Sequence, residues 1–226
     1  MAHADKVSRG ALASLAAEIG ELLDGGELGD AGAKEGVREV ARGASERAPA
    51  SAELVETFAV WTLDARSLAP AARGAAKKSG AKKSGAGGPT LRSLARATGR
   101  WHHQLKIGGR ATAFARTSGS RLELDRVTLR GLFVSPLAQK IDDAIKWIDE
   151  HESEAGGGAR DPVVRLLVVP SRHLHAFWLF DEREGTSEVF VFDPPPRPGG
   201  VRGGVLLGER EFLESVRRVR PVRGLG

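Results

Sequence analysis

Three segments near the carboxyl end constrain the fold most: PVVRLLVVP (162–170), HLHAFWLF (173–180) and SEVFVFDPPP (187–196). A strand with one wet face alternates apolar and polar side chains, but these runs are apolar on both sides apart from Arg165, so the sheet they form needs cover on both faces. Short polar breaks at Ser171-Arg172 and at Asp181 to Thr186 join them, which predicts an antiparallel meander. Ser135-Pro136 is an N-cap followed by proline at the first helical position, and Leu137, Ile141, Ala144, Ile145 and Ile148 then line one side of a helix. A last helix is expected over Glu209 to Val219, carrying Phe212, Leu213, Val216 and Val219. Both helices are expected on one face of the sheet. The other face is left for an upstream hairpin, an N-terminal bundle, a second copy or another protein, because an apolar patch of that size is core or interface.

Upstream, a possible helical turn at Leu91 to Ala97 precedes residues 101–107 and 110–116, which read as hairpin arms around Gly108-Gly109. Leu122 and Leu124 start another strand that Val127, Leu129, Leu132 and Phe133 continue after a phase slip. Residues 91–226 thus read as an α+β domain with a mainly antiparallel sheet: hairpin, strand, helix, three-strand meander, helix. Residues 1–74 read as an acidic helical segment. Its first helix follows Val7, Leu12, Leu15, Ile19 and Leu22, its second runs from Asp30 to about Arg47, and its third is capped by Ser51 with a stripe of Leu54, Phe58, Trp61, Ala65 and Leu68. Between the two, residues 75–90 hold the repeat KKSGAKKSGA (77–86), which has no apolar surface to offset the entropy of ordering and reads as a flexible linker. The linker is no phosphate-binding loop, since Lys82 stands where the second glycine is required.

Charge and composition exclude several chemistries. The absence of cysteine removes thiol catalysis, disulfides and thiolate metal centres together, and it suits a cytoplasmic protein. No stretch approaches the ~18 apolar residues of a membrane span, and the N-terminus is interrupted by Glu18 and Glu21, unlike a secretory signal. Residues 1–74 carry 8 basic against 12 acidic side chains, whereas residues 91–226 carry 22 against 17. Arginine outnumbers lysine, and alanine and glycine abound, a composition common in bacterial proteins.

The histidines were the first candidates for chemistry. Neighbours on a strand point to opposite faces, so His102 and His103 cannot grip one metal. Counting back from the Gly108-Gly109 turn pairs position 103 with 114 and 101 with 116. This puts His103 among core residues with Trp101 and Phe114, His102 toward solvent or an interface, and Arg116 over the Trp101 ring. His173 and His175 share a strand face and, with His103 or Asp193, form the weak metal candidates; no metal and no other cofactor is favoured. Ser171, His173 and Asp193 include the residue types of a nucleophilic triad but lack the glycine-flanked elbow.

Three functions remain. The first is a non-enzymatic protein-interaction module, an adaptor, scaffold or regulatory domain, that meets a protein partner or its own copy through Trp101, His102, His175, Phe177, Trp178 and Phe180. The second is a nucleic-acid-binding protein using Lys77, Lys78, Lys82, Lys83, Arg217 and Arg218. The third is a metal-dependent hydrolase centred on the histidines. No membrane partner is expected.

Overall fold

The structure, a computed structural model, describes residues 13–15, 17, 19, 52–69, 88–107, 110–118, 128–151, 162–194 and 201–221. Its centre is one eight-stranded sheet built from β1 (Ala52–Thr62), β2 (Arg96–Ile107), β3 (Arg110–Ser118), β4 (Thr128–Val134), β5 (Val163–Val169), β6 (Leu174–Phe180), β7 (Ser187–Asp193) and β8 (Leu206–Gly208). The spatial order is β4-β3-β2-β1-β5-β6-β7-β8. Each half is an antiparallel meander in sequence order, and the halves meet at one parallel pair, Ala59 to Thr62 of β1 beside Arg165 to Val168 of β5. The helices are α1 (Ala65–Leu68), α2 (Leu91–Leu94), α3 (Pro136–His151) and α4 (Glu209–Arg218). The class is therefore α+β with a mostly antiparallel sheet, and the three-strand meander and both amphipathic helices fall where their patterns place them.

Three expectations are corrected. The third N-terminal helix is instead the central strand β1, followed only by the single turn of α1. Its Leu54-Phe58-Trp61 spacing fits a helical stripe, but Val55, Thr57, Val60 and Thr62 are β-branched and neighbouring strands pair along both of its edges. Phe58 and Val60 enter one core while Trp61 and Leu63 enter the other, so a doubly buried strand mimicked an amphipathic helix.

Second, the two amphipathic helices cover opposite faces rather than one. Helix α3 lays Ile141, Ala144, Ile145 and Ile148 against Phe177, Leu179 and Phe190, while α4 lays Phe212, Leu213 and Val216 against Trp178, Val189 and Val191. The apolar runs are thus sandwiched within the chain, and among the described residues Phe133 is the large hydrophobic side chain left exposed.

Third, the β2–β3 register differs by one residue. A bulge between Leu105 and Lys106 pairs His103 with Ala115 and His102 with Arg116. One extra residue reverses which side chains share a face, so Phe114 and Arg116 lie with His102, not with His103 and Trp101. Arg116 sits over the rings of Phe114 and Phe133, 5.1 and 5.2 Å from their centroids, not over Trp101.

Of the first predicted helix, Ser14, Leu15, Ala17 and Ile19 are helical, with Leu15 and Ile19 buried. The second predicted helix, the KKSGAKKSGA repeat, the Gly108-Gly109 turn and the Leu122–Leu124 strand lie outside the described residues. No helix among the described residues is long and apolar enough to cross a membrane.

Candidate functional site

The Trp-His-His-Gln run resolves into two structural devices, one on each face of β2. His103 is fully buried, and its ring nitrogens lie 3.0 Å from the Thr57 hydroxyl of β1 and 2.7 Å from the Thr117 hydroxyl of β3. A neutral imidazole has one donor and one acceptor nitrogen, and a hydroxyl can answer either. The ring thus staples three strands, and burial lowers its pKa to about 4.

On the other face, His102 stacks on Phe114, which stacks on Phe133, with centroid separations of 4.5 and 5.2 Å. Its Nε2 is 3.3 Å from the Gln104 Oε1, and the Gln104 amide donates to the Ala138 carbonyl at 2.6 Å. This relay fixes the first turn of α3 against β2. Burial, aided by the positive charge of Arg116, lowers the His102 pKa to about 3, although the bond to Gln104 pulls the other way. Its Nδ1 is buried without a hydrogen-bond partner among the described residues.

Beside this stack lies a cavity of about 170 Å³, lined in part by Val60, Thr98, Arg100, Arg116, Leu137 and His175. Its place follows from the topology. Parallel strands β1 and β5 end here, with Val60, Thr62, Leu166 and Val168 on the wall, and the first turn of α3 contributes Leu137. The carboxyl ends of adjoining parallel strands, where two sheet halves diverge, are where open α/β sheets bind ligands. A helix N-terminus adds a partial positive potential.

Around the cavity the charged groups are mixed in sign but mainly basic. His175, at the start of β6, points Nδ1 to Asp193 Oδ2 at 3.1 Å, and the other carboxylate oxygen of Asp193 accepts from Lys140 of α3. Burial lowers the His175 pKa against the opposing pull of Asp193, and Arg116 and Lys140 lower it further. Arg116 is half-buried, its guanidinium pKa lowered first by burial and then by the neighbouring Arg100. Arg100 is exposed, and its backbone N–H donates to the Thr98 hydroxyl at 3.1 Å, which itself donates to the Val60 carbonyl at 2.7 Å. Among the described residues neither Arg100 nor Arg116 forms an ion pair with a carboxylate.

The site predicted from sequence is brought together only in part. His175 and Asp193 meet. His173 stands apart in the left-handed turn after the 3-10 segment at Pro170–Arg172, with φ 50°, and His103 lies on the opposite sheet face. Among the described residues no group of three metal-ligating side chains assembles. Among the described residues the Ser171 hydroxyl is buried without a hydrogen-bond partner, and the carboxylate of Asp193 serves His175 rather than His173.

The interaction candidates are dispersed. Phe177 packs under α3, Trp178 and Phe180 lie on the α4 side, Trp101 is buried on β2 with β1 and β5 between it and β6, and His102 is wholly enclosed. Arg217 and Arg218 are exposed at the end of α4, where Arg218 approaches Glu214 at 4.0 Å, while Lys77, Lys78, Lys82 and Lys83 lie outside the described residues.

Sequence reasoning missed Arg100, Arg116, Lys140 and Thr98. Alternation along β2 puts 100 and 102 on one face, so Arg100 was within reach of the pattern, whereas the register shift between Ala97 and Arg100, with Gly99 at φ 68°, hid Thr98. The bulge hid Arg116, and only the folded chain brings Lys140 to Asp193. No family model, curated protein or solved structure matches the chain.

Proposed function

We propose that this domain is a non-enzymatic, ligand-binding regulatory module whose cavity holds a small molecule through an oxyanion. The observation that carries the reading is the pair of arginines, Arg100 and Arg116, which share one cavity wall with no carboxylate partner among the described residues. Two like charges held side by side repel each other, and a bound anion relieves that repulsion while accepting from the planar guanidinium donors. Burial of Arg116 against two aromatic rings lowers the local dielectric and strengthens its attraction for an anion. The volume of about 170 Å³ is below the ~300–1,000 Å³ of pockets for drug-sized ligands, which suits a metabolite-sized anion rather than a polymer.

Docking of a partner protein remains open to the exposed surface of the domain, but the apolar runs that suggested it are packed inside the chain. The test is calorimetric titration of the full chain with sodium sulfate, sodium phosphate and sodium acetate at constant ionic strength. Binding should weaken at least about tenfold in Arg100→Gln, the loss of one charge-assisted contact. An intact chain that takes up none of the three anions at millimolar concentration overturns the reading.

A further inference from the structure

Resting on that oxyanion reading, we propose that His175 is the third cation of the cavity. It takes up a proton as the ligand binds and so selects a doubly charged tetrahedral oxyanion, the phosphate monoester of a small molecule, over a singly charged carboxylate.

The argument starts from the two nitrogens of the ring. The Nδ1 of His175 faces the Asp193 carboxylate at 3.1 Å, and a carboxylate only accepts, so Nδ1 carries the proton. In the neutral ring Nε2 then holds a lone pair. The ring lines the cavity, and no protein group among the described residues bonds Nε2. A lone pair repels an aprotic oxyanion. Protonation turns the same atom into a donor without moving the ring, because Asp193 keeps its orientation through Nδ1.

Charge balance points the same way. The groups facing His175 are Asp193 of β7, Lys140 of α3 and Arg116 of β3, with Arg100 and the neutral His102 on β2 nearby. Lys140 pairs with Asp193, which leaves two uncompensated arginine charges in the empty cavity. Burial first, and then the charges of Arg116 and Lys140, lowers the pKa of the unliganded ring against the pull of Asp193. A dianion cancels the two arginine charges, lifts the repulsion that Arg116 adds to the burial of the ring, and leaves Asp193 and the ligand to favour the imidazolium. A monoanion cancels only one and leaves a net positive field at the ring. Linkage then fixes the sign. A ligand that binds the protonated form better raises the His175 pKa, so affinity increases as pH falls between the bound and free values, by at most tenfold per pH unit for one proton.

Sulfate is the informative probe, because it is a dianion that carries no proton of its own near neutrality. The full chain is titrated calorimetrically with sodium sulfate at pH 5.5, 6.5 and 7.5, each in two buffers of different ionisation enthalpy, and acetate serves as the singly charged control. Expected are uptake of up to one proton per bound sulfate, tightening toward low pH and preference for sulfate over acetate. In His175→Gln, with the fold checked by circular dichroism, weakened sulfate binding should persist without proton uptake. Arg100→Gln, altering an exposed residue, should lower affinity while leaving proton uptake in place. Sulfate binding without proton uptake, or uptake unchanged in His175→Gln, overturns the role of His175 and leaves the oxyanion reading standing. Failure of the full chain to bind sulfate at any of these pH values overturns both.

Discussion

Mild acid should destabilise this fold through its buried histidines, and His103 allows the effect to be isolated. In the folded chain burial holds its pKa at about 4, against 6.5 for the ordinary side chain. Between those values the unfolded chain binds a proton that the folded chain refuses. Stability therefore rises with pH through this window and is lost as pH falls from about 6.5 toward 4. At pH 5 the unfolded histidine is almost fully protonated and the folded one is about one-tenth protonated, which amounts to roughly 2 kcal/mol lost relative to pH 7.5. His102, lowered to about 3, contributes a similar amount by the same arithmetic, so the pair should cost about 4 kcal/mol. That is a large share of the ~5–15 kcal/mol net stability of a typical domain. Urea unfolding followed by tryptophan fluorescence at pH 7.5 and pH 5 measures the loss. In His103→Gln the amide can still donate to one threonine and accept from the other, but it cannot titrate, so its acid loss should be smaller by about 2 kcal/mol. Parallel losses in the original chain and in His103→Gln would refute the assignment of a buried neutral ring.

Other substitutions probe the packing separately. Phe212→Ala removes a wholly buried ring from beneath the sheet and should cost about 3–5 kcal/mol, read as a fall in the urea midpoint. Glu209→Ala deletes the carboxylate that accepts from the Leu91 backbone N–H at 2.6 Å; a loss of about 1.5–3 kcal/mol is expected, and a change under 0.5 kcal/mol would mean that water replaces the contact. Phe133→Ser, at a side chain 39% exposed, should shift stability by less than about 1.5 kcal/mol and leave the sheet intact by far-ultraviolet circular dichroism.

What could be read from the sequence depended on whether local pattern or pairing decided the outcome. Helix α3 was plain because Ser135, Pro136 and the Leu137-Ile141-Ala144 spacing all act within one segment, and the Leu137 N–H does reach the Ser135 hydroxyl at 3.2 Å. The β5-β6-β7 meander was plain for the same reason, since unbroken apolar runs with short polar breaks leave few alternatives. Strand β1 was misread because Phe58 and Trp61 satisfy a helical stripe as well as two opposite sheet faces. Its strand state is enforced by β2 and β5, both remote in sequence. The inward turn of His102 was hidden by a single extra residue at Leu105/Lys106. At the site, the His175–Asp193 contact was only a residue-type guess, because strands β6 and β7 shift register between His175 and Ala176. Lys140 became relevant only once a helix fifty residues upstream lay across that edge.

The single parallel seam also has a consequence for how the chain is made. Strands β1 to β4 can pair as they leave the ribosome, each with its immediate predecessor, yet the free side of β1 has no mate until residues 163–169 have been synthesised. During that interval the nascent protein presents an open, β-branched border of the kind that recruits other chains. Slowing translation after Val134 should therefore promote clumping, whereas supplying residues 163–219 as a separate peptide should suppress it.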